Sequence, residues 1–191
     1  MIDEREYLNA QAKRFSGENV AAQNRLKSAY RFFKSFVSKE LPLLDIGTRD
    51  GWMLTYLYRK KFKSLIGIDI TEVAVKYAQN QGRNVIWGDM HNLTSFGDED
   101  FGTVLMTHSL EHCYDTKIVV DGVYRILKKD GIVYVEVPLE SRAKRDVAHF
   151  CNFQSIHDVI KVLGPKFKLL KHKVVPIRRR LRNLLCVFRK V

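Results

Sequence analysis

Three short apolar runs in this chain each carry an aspartate at or near their end, and stretches with helical spacing lie between them. Leu43-Leu44-Asp45-Ile46 leads into Gly47-Thr48-Arg49-Asp50-Gly51, then come Leu65-Ile66-Gly67-Ile68-Asp69 and Val85-Ile86-Trp87-Gly88-Asp89. Strands alternating with helices predict right-handed crossovers and a mainly parallel sheet covered on both faces. Such sheets bind ligands along the carboxyl ends of their strands, which is where the three acids fall.

The rest of the pattern extends this. Residues from about Asp3 to Ser38 are rich in helix formers, with Leu26, Tyr30, Phe33 and Val37 three or four apart. Strands are expected up to Ile46 and over 64–69, 84–88, 101–106 and 132–137, with helices from about Gly51 to Lys60 and over 71–81 and 116–128. A last helix, Gln154 to Leu163, stops at Gly164-Pro165. The runs Phe167 to Val175 and Leu184 to Phe188 are joined by residues 176–183, too few for a crossover helix, so they should pair as an antiparallel hairpin. With 191 residues and 46% hydrophobic composition the chain has material for one core. A single domain is expected: N-terminal helices over 1–40, a ligand-binding core over 41–138, and a C-terminal helix and basic hairpin over 139–191.

Cys113, Cys151 and Cys186 are odd in number and lack a C-x-x-C spacing, which favours a reduced, cytoplasmic setting. The charged start Met1-Ile2-Asp3-Glu4-Arg5-Glu6 does not read as a secretory signal, and no run is long enough to cross a bilayer. The net charge of +12 is concentrated at one end: from Val159 onward there are 11 Lys or Arg and no acid, against 22 basic and 21 acidic residues before it. Such a block attracts phosphates, or else forms a solvated sheet edge guarded against aggregation.

Gly47 and Gly51 flank a turn in which a side chain would hinder approach to the backbone, and the following helix aims its N–H groups there. The dinucleotide fingerprint G-x-G-x-x-G is absent, because Arg49 holds its middle position. Asp45 suits an ammonium, directly or through water, better than a pyrophosphate. Asp69 follows it by 24 residues, near the separation at which a strand-end acid takes ribose hydroxyls. Asp89 is placed to accept from an adenine amine, with Met90 against the ring. The alternative for Asp69 and Asp89 is a turn or capping role.

Leu44-Asp45-Ile46-Gly47-Thr48-Arg49-Asp50-Gly51, with Gly67-Ile68-Asp69, Gly88-Asp89-Met90 and Ser109-Leu110-Glu111-His112, resembles the class I S-adenosylmethionine-dependent methyltransferases, in particular a small subgroup with a Leu-Glu-His signature after the fourth strand. The resemblance spans roughly Leu41 to Pro138. It implies a doubly wound, Rossmann-like α/β fold of seven mostly parallel strands, the last inserted antiparallel, and S-adenosyl-L-methionine as cofactor. Asp45, Gly47, Thr48 and Gly51 would then lie at its methionine end, Asp69 and Ile70 at the ribose, Asp89 and Met90 at the adenine, and His108 near the methionine. Arg49 stands where the family usually has glycine.

Methyl transfer from sulfonium is an in-line displacement that depends on alignment, and a nucleophile of high pKa also needs a base or a metal. His108, Glu111 and His112 stand at i, i+3 and i+4 and would share a face on a helical turn. In ubiquinone-pathway and small-RNA methyltransferases a similar Glu-x-x-Glu-His arrangement binds a divalent metal. Here His108 replaces the first Glu, and no metal is assigned. His149 is a further candidate base in the same cleft. Against these roles, Glu111 and His112 would cap a short helix and His149 would be a loop residue.

The expected function is methyl transfer to oxygen or nitrogen of an intracellular small molecule, with anionic acceptors favoured. One alternative is a nucleic-acid methyltransferase using Arg178, Arg179, Arg180 and Arg182; another is a binding protein that keeps the fold without the reaction. Tyr7, Phe15, Tyr114, Arg142 and Arg145 are unranked candidates for acceptor contacts.

Overall fold

The structure is a computed structural model that describes residues 20–140, 149–178 and 181–191. Tyr7, Phe15, Arg142, Arg145, Arg179 and Arg180 lie outside the described residues, as does any helix before Val20. In chain order the elements are α1 (Val20–Phe33), β1 (Leu43–Ile46), α2 (Trp52–Arg59), β2 (Leu65–Asp69), α3 (Glu72–Asn80), β3 (Val85–Trp87), β4 (Phe101–Thr107), α4 (Thr116–Ile126), β5 (Leu127–Leu139), α5 (Ile156–Leu163), β6 (Phe167–Arg178) and β7 (Leu181–Lys190). A 3-10 turn, Leu110–His112, follows β4.

The seven strands lie in the order β3-β2-β1-β4-β5-β7-β6. β1 pairs in parallel with both β2 and β4, and β7 alone runs against its neighbours β5 and β6. The strand order reverses between β1 and β4, which opens a crevice at their carboxyl ends. Because β7 is inverted, its first residues, Leu181 to Asn183, reach that same edge: Arg182 pairs with Leu139 and Asn183 with Pro138.

Alternation along the strands divides the core between the two faces. Leu44, Ile46, Val104 and Met106 pack with Val119, Val120, Val123 and Ile126 of α4 and with Val159 and Leu163 of α5. Leu43, Leu105 and Tyr134 face the other way, onto Tyr30 and Phe33 of α1 and Met53 and Leu57 of α2. Each fully buried side chain of this size contributes about 1.5–3 kcal/mol by leaving water. Local signals fix the helix ends. Asp115 accepts from the backbone N–H groups of Lys117 and Ile118 to start α4, and Ser155 with Asp158 forms a capping box on α5, which stops at Gly164 with φ +60°.

Two boundaries depart from expectation. β5 begins at Leu127, earlier than the expected 132, because Leu127 pairs with Phe101 across an irregularity that Asp130 (φ +59°) and Gly131 absorb. The hairpin arms also run further, so Pro176, Ile177, Arg182 and Asn183 belong to strands and not to the connection. Bulges at Leu169/Lys171 and Pro176/Arg178 allow this, since β6 is an edge strand and tolerates a proline without an N–H. Lys168, Lys171 and Lys173 lie along that edge. Among the described residues no helix is long and apolar enough to cross a membrane.

Candidate active site

A cleft of about 730 Å³ opens at the carboxyl edge above the strand-order reversal, a size suited to a nucleoside cofactor with a small second molecule. Its floor is the turn after β1. Gly47 has φ +73°, and a Cβ on it would come within 2.7 Å of the Ser109 Cβ. A Cβ on Gly67 of β2 would meet the Thr48 methyl at 2.5 Å. Glycine at both places lets the turn sit between β2 and the segment after β4.

Asp45 is buried and accepts the Thr48 hydroxyl at 2.7 Å. Burial pushes its carboxyl up to about 7; the Thr48 bond opposes this, and the charges of Asp69 and Asp50 add to it. Asp69 accepts from the backbone N–H of Arg49 at 2.8 Å and from that of Thr71 at 2.9 Å. Burial raises its pKa, with these bonds working in the opposite sense. Arg49 occupies the glycine position of the turn with φ +57°, a left-handed backbone that costs a side chain of order 1–2 kcal/mol. Ile68, Ile70, Ala74 and Met90 form an apolar wall beside these acids.

Asp45, Gly47, Thr48, Asp69, Ile70, Met90, His108, Glu111, His112 and His149 all line the cleft, whereas Gly51 and Asp89 do not. Gly51 has φ +69° and sits where a Cβ would press on Val85 at 2.8 Å, so it serves packing against β3. One oxygen of Asp89 accepts both the backbone N–H of His91, at 2.9 Å, and its Nδ1–H, at 2.8 Å. Burial would raise the Asp89 pKa, but the His91 bonds outweigh it and hold it low. Oδ1 of Asp89 thus serves the turn, the alternative weighed for it above.

His108, Glu111 and His112 do not share one helical face. His108 has φ +56° and precedes the 3-10 turn, and its backbone N–H donates to the Glu136 carbonyl at 2.8 Å. Its Nδ1 lies 3.1 Å from Glu111 Oε1, and its Nε2 lies 3.3 Å from Glu136 Oε1 and 2.7 Å from Asn183 Nδ2. Burial alone would lower the imidazole pKa, but the bonds and charges of Glu111 and Glu136 prevail and hold it at about 9. The two carboxylates favour the imidazolium, which has no lone pair for a proton or a metal, whereas the Asn183 amide 2.7 Å from Nε2 must turn its oxygen there to accept from that form. The Tyr134 hydroxyl donates to Glu136 Oε2 at 2.8 Å and closes the network.

The structure instead places His149 beside Glu111 and His112, with the two imidazole centroids 4.9 Å apart. Glu140 accepts from His149 Nδ1 at 2.8 Å. Glu136, Glu140, Asn183 and Arg25 are the participants that sequence reasoning missed. Only Glu136 carried a signal: a carboxylate inside the apolar run Ile132–Pro138 is a buried charge that needs a partner.

Residues 44–135 match the family model described as a methyltransferase domain. The uncharacterized protein MJ1123 of Methanocaldococcus jannaschii is 28% identical over 142 residues, 67% of this chain and 65% of that protein. YrhH of Bacillus subtilis is 24% identical over 108 residues, 53% of this chain and 60% of that protein. The matches therefore span a little under two thirds of either relative. In fold, the crystal structure of an S-adenosylmethionine-dependent methyltransferase of Methanosarcina mazei superposes with a TM-score of 0.73 at 17% identity, covering 85% of this chain and 98% of that one.

In sheet order and in the placement of its cleft the chain has the Rossmann-like fold of the methyltransferases it resembles. Residues 44–135 carry the match to the methyltransferase domain, and the hairpin β6–β7 completes the sheet.

Proposed function

We propose that this chain transfers the methyl group of S-adenosyl-L-methionine to an oxygen or nitrogen of a small anionic acceptor. The supporting observation is the polarity of the cleft. Its deep end carries Asp45, Asp50 and Asp69, whereas its exposed rim carries Arg25 and Arg182, with Arg49 between. A cationic cofactor fits the first and an acidic acceptor the second.

The residues fit the cofactor. Asp45, buried and short of a cation, would hold the methionine ammonium; Asp69 has lone pairs left for ribose hydroxyls; Ile70 and Met90 offer the adenine an apolar wall. When bound, the cofactor supplies an electrophilic methyl on a sulfonium. The chain contributes alignment, exclusion of water and a wall of Glu111, His112 and His149 on which the acceptor's proton is handled.

The test is methyl transfer from labelled cofactor to a panel of carboxylates and phosphate monoesters beside their neutral analogues. Anionic acceptors are expected to win, and Arg182→Ala should raise KM while kcat changes little. Equal rates on neutral analogues would reject the anionic class.

The basic edge of β6 favours a second reading, nucleic-acid methylation. That reading requires activity on RNA or DNA that falls steeply with salt. A binding role without the reaction predicts no heat when S-adenosyl-L-methionine is titrated into the protein.

A further inference from the structure

We propose that Glu111, His112 and His149 form a binding site for one divalent first-row transition-metal ion. The set differs from the one the sequence suggested: His149 replaces His108, both of whose ring nitrogens already face Glu111, Glu136 and Asn183. One ligand atom from each of the three lies within 4.8 Å of the others, close enough for a single ion to be shared among them.

Two independent features point to a ligand here. Glu111 is 1% exposed, with Oε1 beside His108 and Oε2 buried without a hydrogen-bond partner among the described residues. An orphaned buried carboxylate oxygen is costly, and an ion satisfies it. The second feature is Glu140, which engages His149 Nδ1 and so leaves the Nε2 lone pair available, the outer-sphere arrangement that orients metal-binding histidines. The rings of His112 and His149 meet at 68° with their centroids 4.9 Å apart.

The backbone holds the three together across a long separation in sequence. The N–H of Cys151 donates to the Glu111 carbonyl at 3.0 Å, and the Cys151 thiol donates to the Cys113 carbonyl at 3.0 Å. These bonds bind the His149 segment to the turn that carries Glu111 and His112. Two imidazoles and one carboxylate suit zinc, manganese, iron, cobalt or nickel and give calcium too few oxygens. Three protein ligands leave coordination positions open to the cleft. There an acceptor hydroxyl could bind and lose its proton more easily, a use that rests on the methyl-transfer reading; capture of the ion does not.

The experiment is calorimetric titration of chelator-stripped protein with Mn²⁺, Co²⁺ and Zn²⁺, each followed by titration with S-adenosylhomocysteine. One ion per chain is expected. His149→Ala and His112→Ala should each weaken binding about 100-fold or more, Glu140→Gln about 10- to 100-fold, while His91→Ala leaves it unchanged. Thermal unfolding checks each variant, and Glu111→Gln, close in shape, serves if a histidine variant does not fold. Absence of binding to the wild type overturns the proposal, as does undiminished binding in a folded His149→Ala or Glu111→Gln. Metal binding without uptake of S-adenosylhomocysteine would overturn the methyl-transfer reading and leave the metal site standing.

Discussion

The Asp69 carboxylate accepts the backbone N–H of Arg49 at 2.8 Å, a bond that ties the end of β2 to the turn after β1. The same carboxylate accepts from Thr71, so it is held rigidly before any ligand arrives. A fixed acceptor loses little freedom on binding, which favours affinity.

Asp69→Ala should therefore weaken binding of S-adenosylhomocysteine by about 1.5–3 kcal/mol for each charged hydrogen bond lost. Isothermal titration measures it. An unchanged dissociation constant would mean that the ribose lies elsewhere.

Arg49 holds a left-handed backbone, φ +57°, in a place that suits glycine. Arg49→Gly should stabilise the unliganded chain by about 1 kcal/mol, the strain relieved less the added freedom of the unfolded chain. Arg49→Ala removes the guanidinium and keeps the strain, so it should give no such gain. Urea unfolding of the three proteins decides, and equal stabilities would show that the turn is unstrained.

Asp45 keeps its proton in the folded chain up to about pH 7, whereas the unfolded chain releases it near 3.8. Between those values the folded state binds more protons, so this group's contribution to stability falls as pH rises from about 4 to 7 and is level above. Asp45→Asn should abolish that slope. Comparing the two proteins by urea unfolding at about pH 5 and about pH 7.5 tests it, since parallel changes would mean a carboxyl of ordinary pKa. Cofactor affinity should rise over the same interval, because an ammonium prefers the ionised carboxyl.

Glu136 is buried between His108, Tyr134 and Asn183. Glu136→Leu keeps the bulk but leaves an imidazolium facing one carboxylate and a phenol without its acceptor. Breaking a buried ion pair from one side costs about 3–5 kcal/mol, which a fall in the urea midpoint would report. A loss under about 1 kcal/mol would show that His108 is neutral in the wild type.

Much of the frame was legible because its signals are local. The acid tips of β1 and β2 follow from alternation along a strand, and α4 follows from Val119, Val120, Val123 and Ile126 three or four residues apart. The early start of β5 and the extended hairpin were hidden, because pairing with a neighbour overrides local preference there. At Asp89 the sequence allowed two readings, and the turn partner the structure shows, His91, is two residues away and carries no motif.

What the sequence by itself determined is the alternation of strand and helix, the aspartates at the strand ends and the excess positive charge of the tail. Only the tertiary structure decided which groups meet in the cleft: His108 with Asn183, 75 residues apart, and His149 with Glu111 and His112. The reason is physical. Side-chain direction along one element is set by its own backbone, but the meeting of distant side chains depends on crossover handedness, on the inversion of β7 and on the register of its pairing with β5.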